Sequence, residues 1–131
     1  MELKKILHAD DDEDIRAIMQ LALEISGQYD VRQCPDGFSA VSEAREYCPD
    51  LLLLDYMMPG MTGEEVWREV IRIPGLEKIP AIFLTAKADK MLKDRLVAEG
   101  AAAVLDKPFE PLRISDQIRE IWLAAHRDTH S

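Results

Sequence analysis

Short apolar runs alternate five times along the chain with longer stretches in which apolar residues recur every three or four positions. The runs, rich in Leu, Ile and Val, predict strands near 4–9, 29–33, 50–54, 80–84 and 102–105. The stretches between and after them predict helices near 13–26, 37–47, 63–73, 89–98 and 110–126. Strict strand–helix alternation is the pattern of an α/β domain, a parallel sheet covered by helices on both faces.

The helical stretches carry their own punctuation. In the first, Ile15, Ile18, Met19, Ala22 and Ile25 form the expected buried face, and Gly27 is placed to close it in a left-handed cap. The second and third each follow a glycine-containing turn. Thr62 is the expected N-cap of the third, with Glu64 and Glu65 in a first turn that favours negative charge, and Pro74-Gly75 ends it. Met91, Leu92, Leu96 and Val97 are the apolar positions of the fourth, which stops at Gly100. The last is expected to bury Leu112, Ile114, Ile118, Ile121, Trp122 and Ala125, and Trp67 and Trp122 both read as core or half-buried residues.

The strand ends are where the pattern breaks chemically. Leu51-Leu52-Leu53-Leu54 reads as a strand buried on both faces, and Asp55 ends it just before the turn-forming Tyr56-Met57-Met58-Pro59-Gly60. Lys4-Lys5-Ile6-Leu7-His8-Ala9 likewise runs into Asp10-Asp11-Asp12. The C-terminal edge of a parallel sheet is where open α/β folds place ligands. Carboxylates gathered there repel one another unless they hold a proton, meet a Lys or Arg, or bind a hard cation such as Mg²⁺. A metal site is therefore expected. Asp12, Glu13 and Asp14 fit a solvated helix start instead. An EF-hand loop counted from Asp10 fails, because Ile15 and Leu21 fall where Gly and the bidentate Glu are needed. Two further groups end strands on the same edge: Thr85-Ala86 after Phe83-Leu84, and Lys107 before Pro108.

Composition narrows the partners. With 25 acidic and 16 basic residues the formal charge is −9, which argues against non-specific binding to nucleic acid or an anionic membrane. No stretch approaches the ~20 apolar residues of a membrane span, and the N-terminus lacks a signal-peptide core, so a cytoplasmic protein is expected. A length of 131 residues fits one domain, residues 1–131, with a frayed tail over 127–131 and output through a partner. Cys34 and Cys48 lack metal-ligand spacing and read as small structural residues. Met57, Met58 and Met61 read as packing, and His126 and His130 lie too near the end to be ligands.

Taken in order, Ile6-Leu7-His8-Ala9-Asp10-Asp11, Leu53-Leu54-Asp55-Tyr56-Met57-Met58-Pro59-Gly60-Met61-Thr62-Gly63, Leu84-Thr85-Ala86 and Lys107-Pro108-Phe109 resemble the receiver domain of bacterial two-component response regulators. The resemblance covers nearly the whole chain. It implies a flavodoxin-like, doubly wound five-stranded parallel sheet in the order 2-1-3-4-5 with five helices. It implies that Asp55 is a phosphoacceptor, loaded from the phosphohistidine of a sensor histidine kinase or a histidine phosphotransfer protein. Mg²⁺ or Mn²⁺ would then be held by Asp11, by Asp10 through water, by Asp55 and by the backbone carbonyl of Met57. Thr85, the Ala86 amide and Lys107 would bind the phosphoryl oxygens, and the Lys107–Pro108 bond would be cis.

One aligned position departs from the family pattern. Val104 stands where a switch Tyr or Phe is usual, so the aromatic half of the usual coupling is expected to be absent or replaced by movement of the loop after Thr85. Met57 and Lys87 occupy the positions expected to tune the lifetime of the aspartyl phosphate. The leading expectation is a phosphorylation-dependent switch acting on an unidentified protein target. A receiver-like module independent of phosphorylation is the alternative, supported only by Val104. A Mg²⁺-dependent aspartyl phosphatase is disfavoured because Met57 stands where such enzymes place a second acid. Dimerisation through the fourth helix, fifth strand and fifth helix is open, and no residue pattern marks it.

Overall fold

The computed structural model describes residues 2–26, 29–86 and 89–128. Its elements run β1 (Lys5–Ala9), α1 (Glu13–Leu21), a π-helical turn (Ala22–Ser26), β2 (Asp30–Cys34), α2 (Gly37–Tyr47), β3 (Leu51–Asp55), α3 (Gly63–Val70), β4 (Ala81–Ala86), α4 (Lys90–Ala98), β5 (Ala103–Lys107) and α5 (Ile114–Asp128). All strands pair in parallel in the order β2-β1-β3-β4-β5. This is the flavodoxin-like order, with β3 central and every residue of it buried.

Strand alternation sorts the core into two layers. Leu52 and Leu54 of β3 face α2, α3 and α4, in a cluster with Ala40, Val66, Trp67, Phe83 and Leu96. Leu51 and Leu53 face the other way, against Met19, Leu23, Ile114, Ile118 and Trp122 from the α1 and α5 side. Trp67 and Trp122 are both buried, as the apolar spacing suggests.

The helices differ from their sequence reading in instructive ways. The buried stripe of α1 is Met19, Ala22 and Leu23, whereas Ile18 and Ile25 are exposed. The π-helical turn at Ala22–Ser26 adds a residue to the cycle and rotates Ile25 off the face that a continuous α-helix would give it. The expected cap at Gly27 lies outside the described residues. In α4 only Leu96 is fully buried, and Met91 and Val97 face outward. Leu112 is 87% exposed because it sits in the turn before α5, whose buried stripe begins at Ile114 and continues through Ile118 and Trp122. The last helix also continues to Asp128, past the expected end, and residues 129–131 lie outside the described part.

Thr62 caps α3 as expected and does so reciprocally: the Glu65 N–H donates to Thr62 Oγ1 and the Thr62 N–H to Glu65 Oε1. Cys34 is buried, but Cys48 is exposed and corrects its reading as a small core residue. It ends α2 in the left-handed conformation at φ 54°, a position that turns its side chain out of the helix packing.

An ion-pair network spans α3 and α4. Glu64 accepts from Arg68 at 2.8 Å and from both terminal nitrogens of Arg95 at 2.9 and 2.8 Å. Glu99 accepts from the same two arginines, each at 2.7 Å. The Arg95 guanidinium, foremost, holds the Glu64 carboxyl down to about 2, against the opposing effect of burial. Glu64→Gln is expected to cost about 1–2 kcal/mol, because the arginines are half-exposed while Glu64 is not. Urea unfolding at low and high salt checks this: the difference should shrink at 1 M NaCl, and equal stability at low salt would reject it.

Candidate functional site

Each candidate side chain is delivered by a strand end. Asp55 is the last residue of β3, Lys107 the last of β5, Ala86 the last of β4 with Thr85 before it, and Asp10 follows β1 directly. Parallel pairing aligns these ends on one edge, with Asp55 beside Leu84 and Ala86 beside Lys107. The sheet therefore brings together groups that are up to 97 residues apart in sequence.

Lys107 Nζ lies 3.0 Å from Asp55 Oδ2 and 3.2 Å from Asp10 Oδ2. Asp10 is fully buried, Asp55 and Thr85 are each 4% exposed, and Asp11 is open to solvent. One carboxylate oxygen from each of Asp10, Asp11 and Asp55 falls within 4.8 Å of the others. The bond from Lys107 to Pro108 is cis.

Asp10 is fixed on every side. Its N–H donates to the Cys34 carbonyl at 3.1 Å, its carbonyl accepts from Arg16 Nη1 at 2.8 Å, and its Oδ1 accepts from the Asp12 N–H at 2.9 Å. Asp12 itself accepts from the N–H groups of Asp14 and Ile15 and is the N-cap of α1, so its solvated, capping assignment holds.

Burial is the main cause that lifts the Asp55 carboxyl to about 6, with Asp10 and Asp11 adding repulsion and Lys107 opposing. Burial also works against the Lys107 ammonium, but its bonds to Asp55 and Asp10 outweigh that and raise its pKa. A single lysine thus shares two buried acids. Among the described residues, that is one bonded ammonium for two buried carboxylates before Asp11 is counted. Three hard carboxylates at this separation, with excess negative charge, suit an oxygen-ligated divalent cation.

A cleft of about 410 Å³ opens onto these groups, with Asp11, Asp55, Met57, Thr85, Asp89 and Lys107 among its lining. The Thr85 hydroxyl donates to the Ala86 carbonyl only at 3.5 Å, a weak hydrogen bond. Met57 is 72% exposed, which corrects its reading as packing, while Met58 is buried and Met61 packs against the core. The turn after Asp55 points successive side chains in different directions. Val104 is half-buried against the α2–α4 cluster. Lys87 lies outside the described residues. Two residues at the site escaped the sequence reading, one in the cleft wall and one bonded to the Asp10 backbone. Asp89 is one, although its place before an apolar-periodic stretch marks it as the N-cap of α4, accepting from the Leu92 N–H at 3.3 Å. Arg16 is the other, and nothing in its local sequence pattern signals its bond to Asp10.

A flavodoxin-like sheet of this order, with acids and one lysine converging at its C-terminal edge, defines the CheY-like class of α/β domain. The chain belongs to the response regulator receiver domain family, whose sequence model matches residues 6–119. It is 37% identical over 120 residues to the alkaline phosphatase synthesis transcriptional regulatory protein PhoP of Bacillus subtilis, covering 90% of this chain and 48% of that protein. It is 34% identical to the DNA-binding response regulator MtrA of Mycobacterium tuberculosis, with 88% and 49% covered. The chain spans about half the length of these curated relatives. Among solved structures it superposes on the chemotaxis protein CheY4 of Vibrio cholerae with a TM-score of 0.83 at 29% identity, covering 92% and 99% of the two chains. Receiver domains are the signalling switches of two-component systems. No helix among the described residues is long and apolar enough to cross a membrane.

Proposed function

We propose that the chain is a single receiver unit that accepts a phosphoryl group on Asp55 from the phosphohistidine of a kinase or phosphotransfer protein and so alters its binding to a protein target. The observation that carries this reading is the convergence of Asp10, Asp55 and Lys107 within 3.2 Å contacts at the edge of a buried sheet. An Asp55 oxygen attacks phosphorus as the P–N bond to the imidazole breaks, and the neutral imidazole leaves on taking up a proton. Asp55 must be ionised for this, and a carboxyl lifted to about 6 is still mostly ionised at neutral pH.

Asp10, Asp11, Asp55 and the Met57 backbone carbonyl are the proposed Mg²⁺ ligands. The ion, when bound, supplies the positive charge that offsets the charge building on the phosphoryl oxygens. Lys107, already bonded to an Asp55 oxygen, stays within reach of the transferred group. The weakly held Thr85 hydroxyl is available to turn toward a phosphoryl oxygen, and the Ala86 amide to donate to another. Met57 and Lys87 are the proposed lifetime-tuning positions. An exposed Met57 at the cleft fits control of water access.

Readout is proposed to pass through Thr85 and the loop into α4, because Val104 has no ring to turn. The charge of −9 supports protein rather than nucleic-acid partners for this chain.

Intact mass after incubation with Mg²⁺ and a small acyl phosphate tests the reading. The native chain is expected to gain one phosphoryl group, Asp55→Asn none, and omission of Mg²⁺ should suppress the gain. An unmodified native chain, with Mg²⁺ binding intact and a cognate kinase also ineffective, would favour a phosphorylation-independent module.

A further inference from the structure

His8 is a buried titratable group that the proposed chemistry does not use. It lies two residues before Asp10 on β1, is wholly inaccessible, and its Nε2 has no partner among the described residues. Its Nδ1 lies 3.0 Å from Nε2 of Gln33, its neighbour across the β1–β2 pairing. The same Gln33 nitrogen lies 2.7 Å from the Arg16 backbone carbonyl in α1.

These two contacts settle the ring. A carbonyl can only accept, so Gln33 must present its NH₂ to Arg16; the flipped amide would set oxygen against oxygen. The second amide hydrogen then points at His8 Nδ1, which must accept and carry no proton. The imidazole is therefore the neutral Nε2–H tautomer. Burial first, and then the charges of Lys107 and Arg16, hold its pKa down to about 3, in keeping with that neutral form.

The chain of contacts ends at the acid site. Arg16, held through its carbonyl by Gln33, donates through its guanidinium to the Asp10 carbonyl at 2.8 Å. Gln33 thus ties three elements, β1, β2 and α1, at the level of the acid cluster. We propose that Gln33 and His8 are positioning residues that set Arg16, and through it Asp10, in place for a divalent cation. The inference rests on reading Asp10, Asp11 and Asp55 as the cation site. It adds two neutral residues that touch neither cation nor phosphoryl group. Hydrogen-bonded partners behind metal ligands commonly contribute about 10–100-fold to affinity, and an effect relayed through Arg16 belongs at the low end.

The test is isothermal titration of the full chain with MgCl₂, beside thermal unfolding without metal. Gln33→Met keeps the length, adds no charge and removes the donor. It should weaken Mg²⁺ binding about five- to tenfold. His8→Leu should weaken it in the same direction, and His8→Asn, whose Oδ1 can accept in place of Nδ1, should restore most of the loss. A merely structural network would lower the unfolding temperature and leave the affinity of the folded chain unchanged. That result, or equal affinities for His8→Leu and His8→Asn, overturns the proposal. A native chain that binds no Mg²⁺ instead overturns the underlying site reading and this inference with it. A further measurement needs no variant: long-range ¹H–¹⁵N spectra of the native His8 ring should show the Nε2–H tautomer. An Nδ1–H ring overturns the proposal even if the variants do not fold.

Discussion

Metal-free Asp55→Asn is expected to be more stable than the native chain at pH 7 and more sensitive to acid. The Asp55 carboxyl is raised from 3.8 to about 6, chiefly by burial, so above pH 6 the folded state carries an ionised acid it holds at a cost. In the window from 6 down to 3.8 the folded state binds more protons than the unfolded chain at this site, and stability rises as pH falls. His8 has the opposite sign. Its pKa is lowered from 6.5 to about 3, so between those values the unfolded chain binds the extra proton and stability falls as pH falls. Each fully developed term has a slope of roughly 1.4 kcal/mol per pH unit, and in the native chain the two largely cancel where they overlap.

Removing the acid breaks that cancellation. The gain at pH 7 should be about 1–2 kcal/mol, below the full cost of the raised carboxyl because Lys107 loses one of its two partners. Between pH 6 and pH 4.5 the variant should then lose roughly 2 kcal/mol relative to the native chain as His8 protonation goes unopposed. Stopping at 4.5 keeps Glu64 out of the comparison, since its stabilisation, present above 4.5, is lost only as pH falls toward about 2. Urea unfolding in EDTA at half-unit steps measures both numbers. Parallel stability curves for the two proteins would show that the two groups do not oppose each other.

The same opposition marks where a sequence can and cannot be read. Asp55 was legible because four consecutive leucines predict a strand buried on both faces, and an acid at its end has no packing explanation. Asp10, Thr85 and Lys107 were legible because parallel topology carries every strand end to one edge. His8 was not. In a strand it is one more alternating residue, and its meaning depends on Gln33, 25 positions away, and on a carbonyl of α1. The Glu64–Arg95 pair, separated by 31 residues, is equally silent in either helix alone. Two of the misplaced apolar residues share a cause: Ile25 and Leu112 obey a helical period in the sequence, but a π turn and a pre-helix turn break the period in space. Local patterns specify faces and ends, while long-range polar contacts specify how the ends are held.

Gly63→Ala should be the most damaging small substitution at the site. A Cβ built on Gly63 would stand 2.6 Å from the Asp55 carbonyl oxygen and 3.2 Å from the Tyr56 Cα, atoms of the backbone that cannot rotate away. The Gly63 N–H also donates to the Tyr56 carbonyl at 2.9 Å, which locks the first residue of α3 against the turn that follows the acceptor. Relief therefore requires α3 to move from the end of β3. The ion-pair network resists that movement by tying Glu64, the next residue, to Arg95 of α4. Overpacking of this kind costs about 3 kcal/mol, only partly offset by the better helix propensity of alanine. For a domain of this size that is a drop in Tm of roughly 10 °C. Because the displaced atoms are the carbonyl of Asp55 and the turn bearing Met57, Mg²⁺ affinity should fall in the same variant. Gly75→Ala provides the contrast: Gly75 has φ +95° but nothing within 4 Å of its Cβ position, so it should cost only about 1 kcal/mol of backbone strain and leave Mg²⁺ binding untouched. If both alanine variants lower Tm equally and bind Mg²⁺ like the native chain, the close approach of α3 to Asp55 does not support the site.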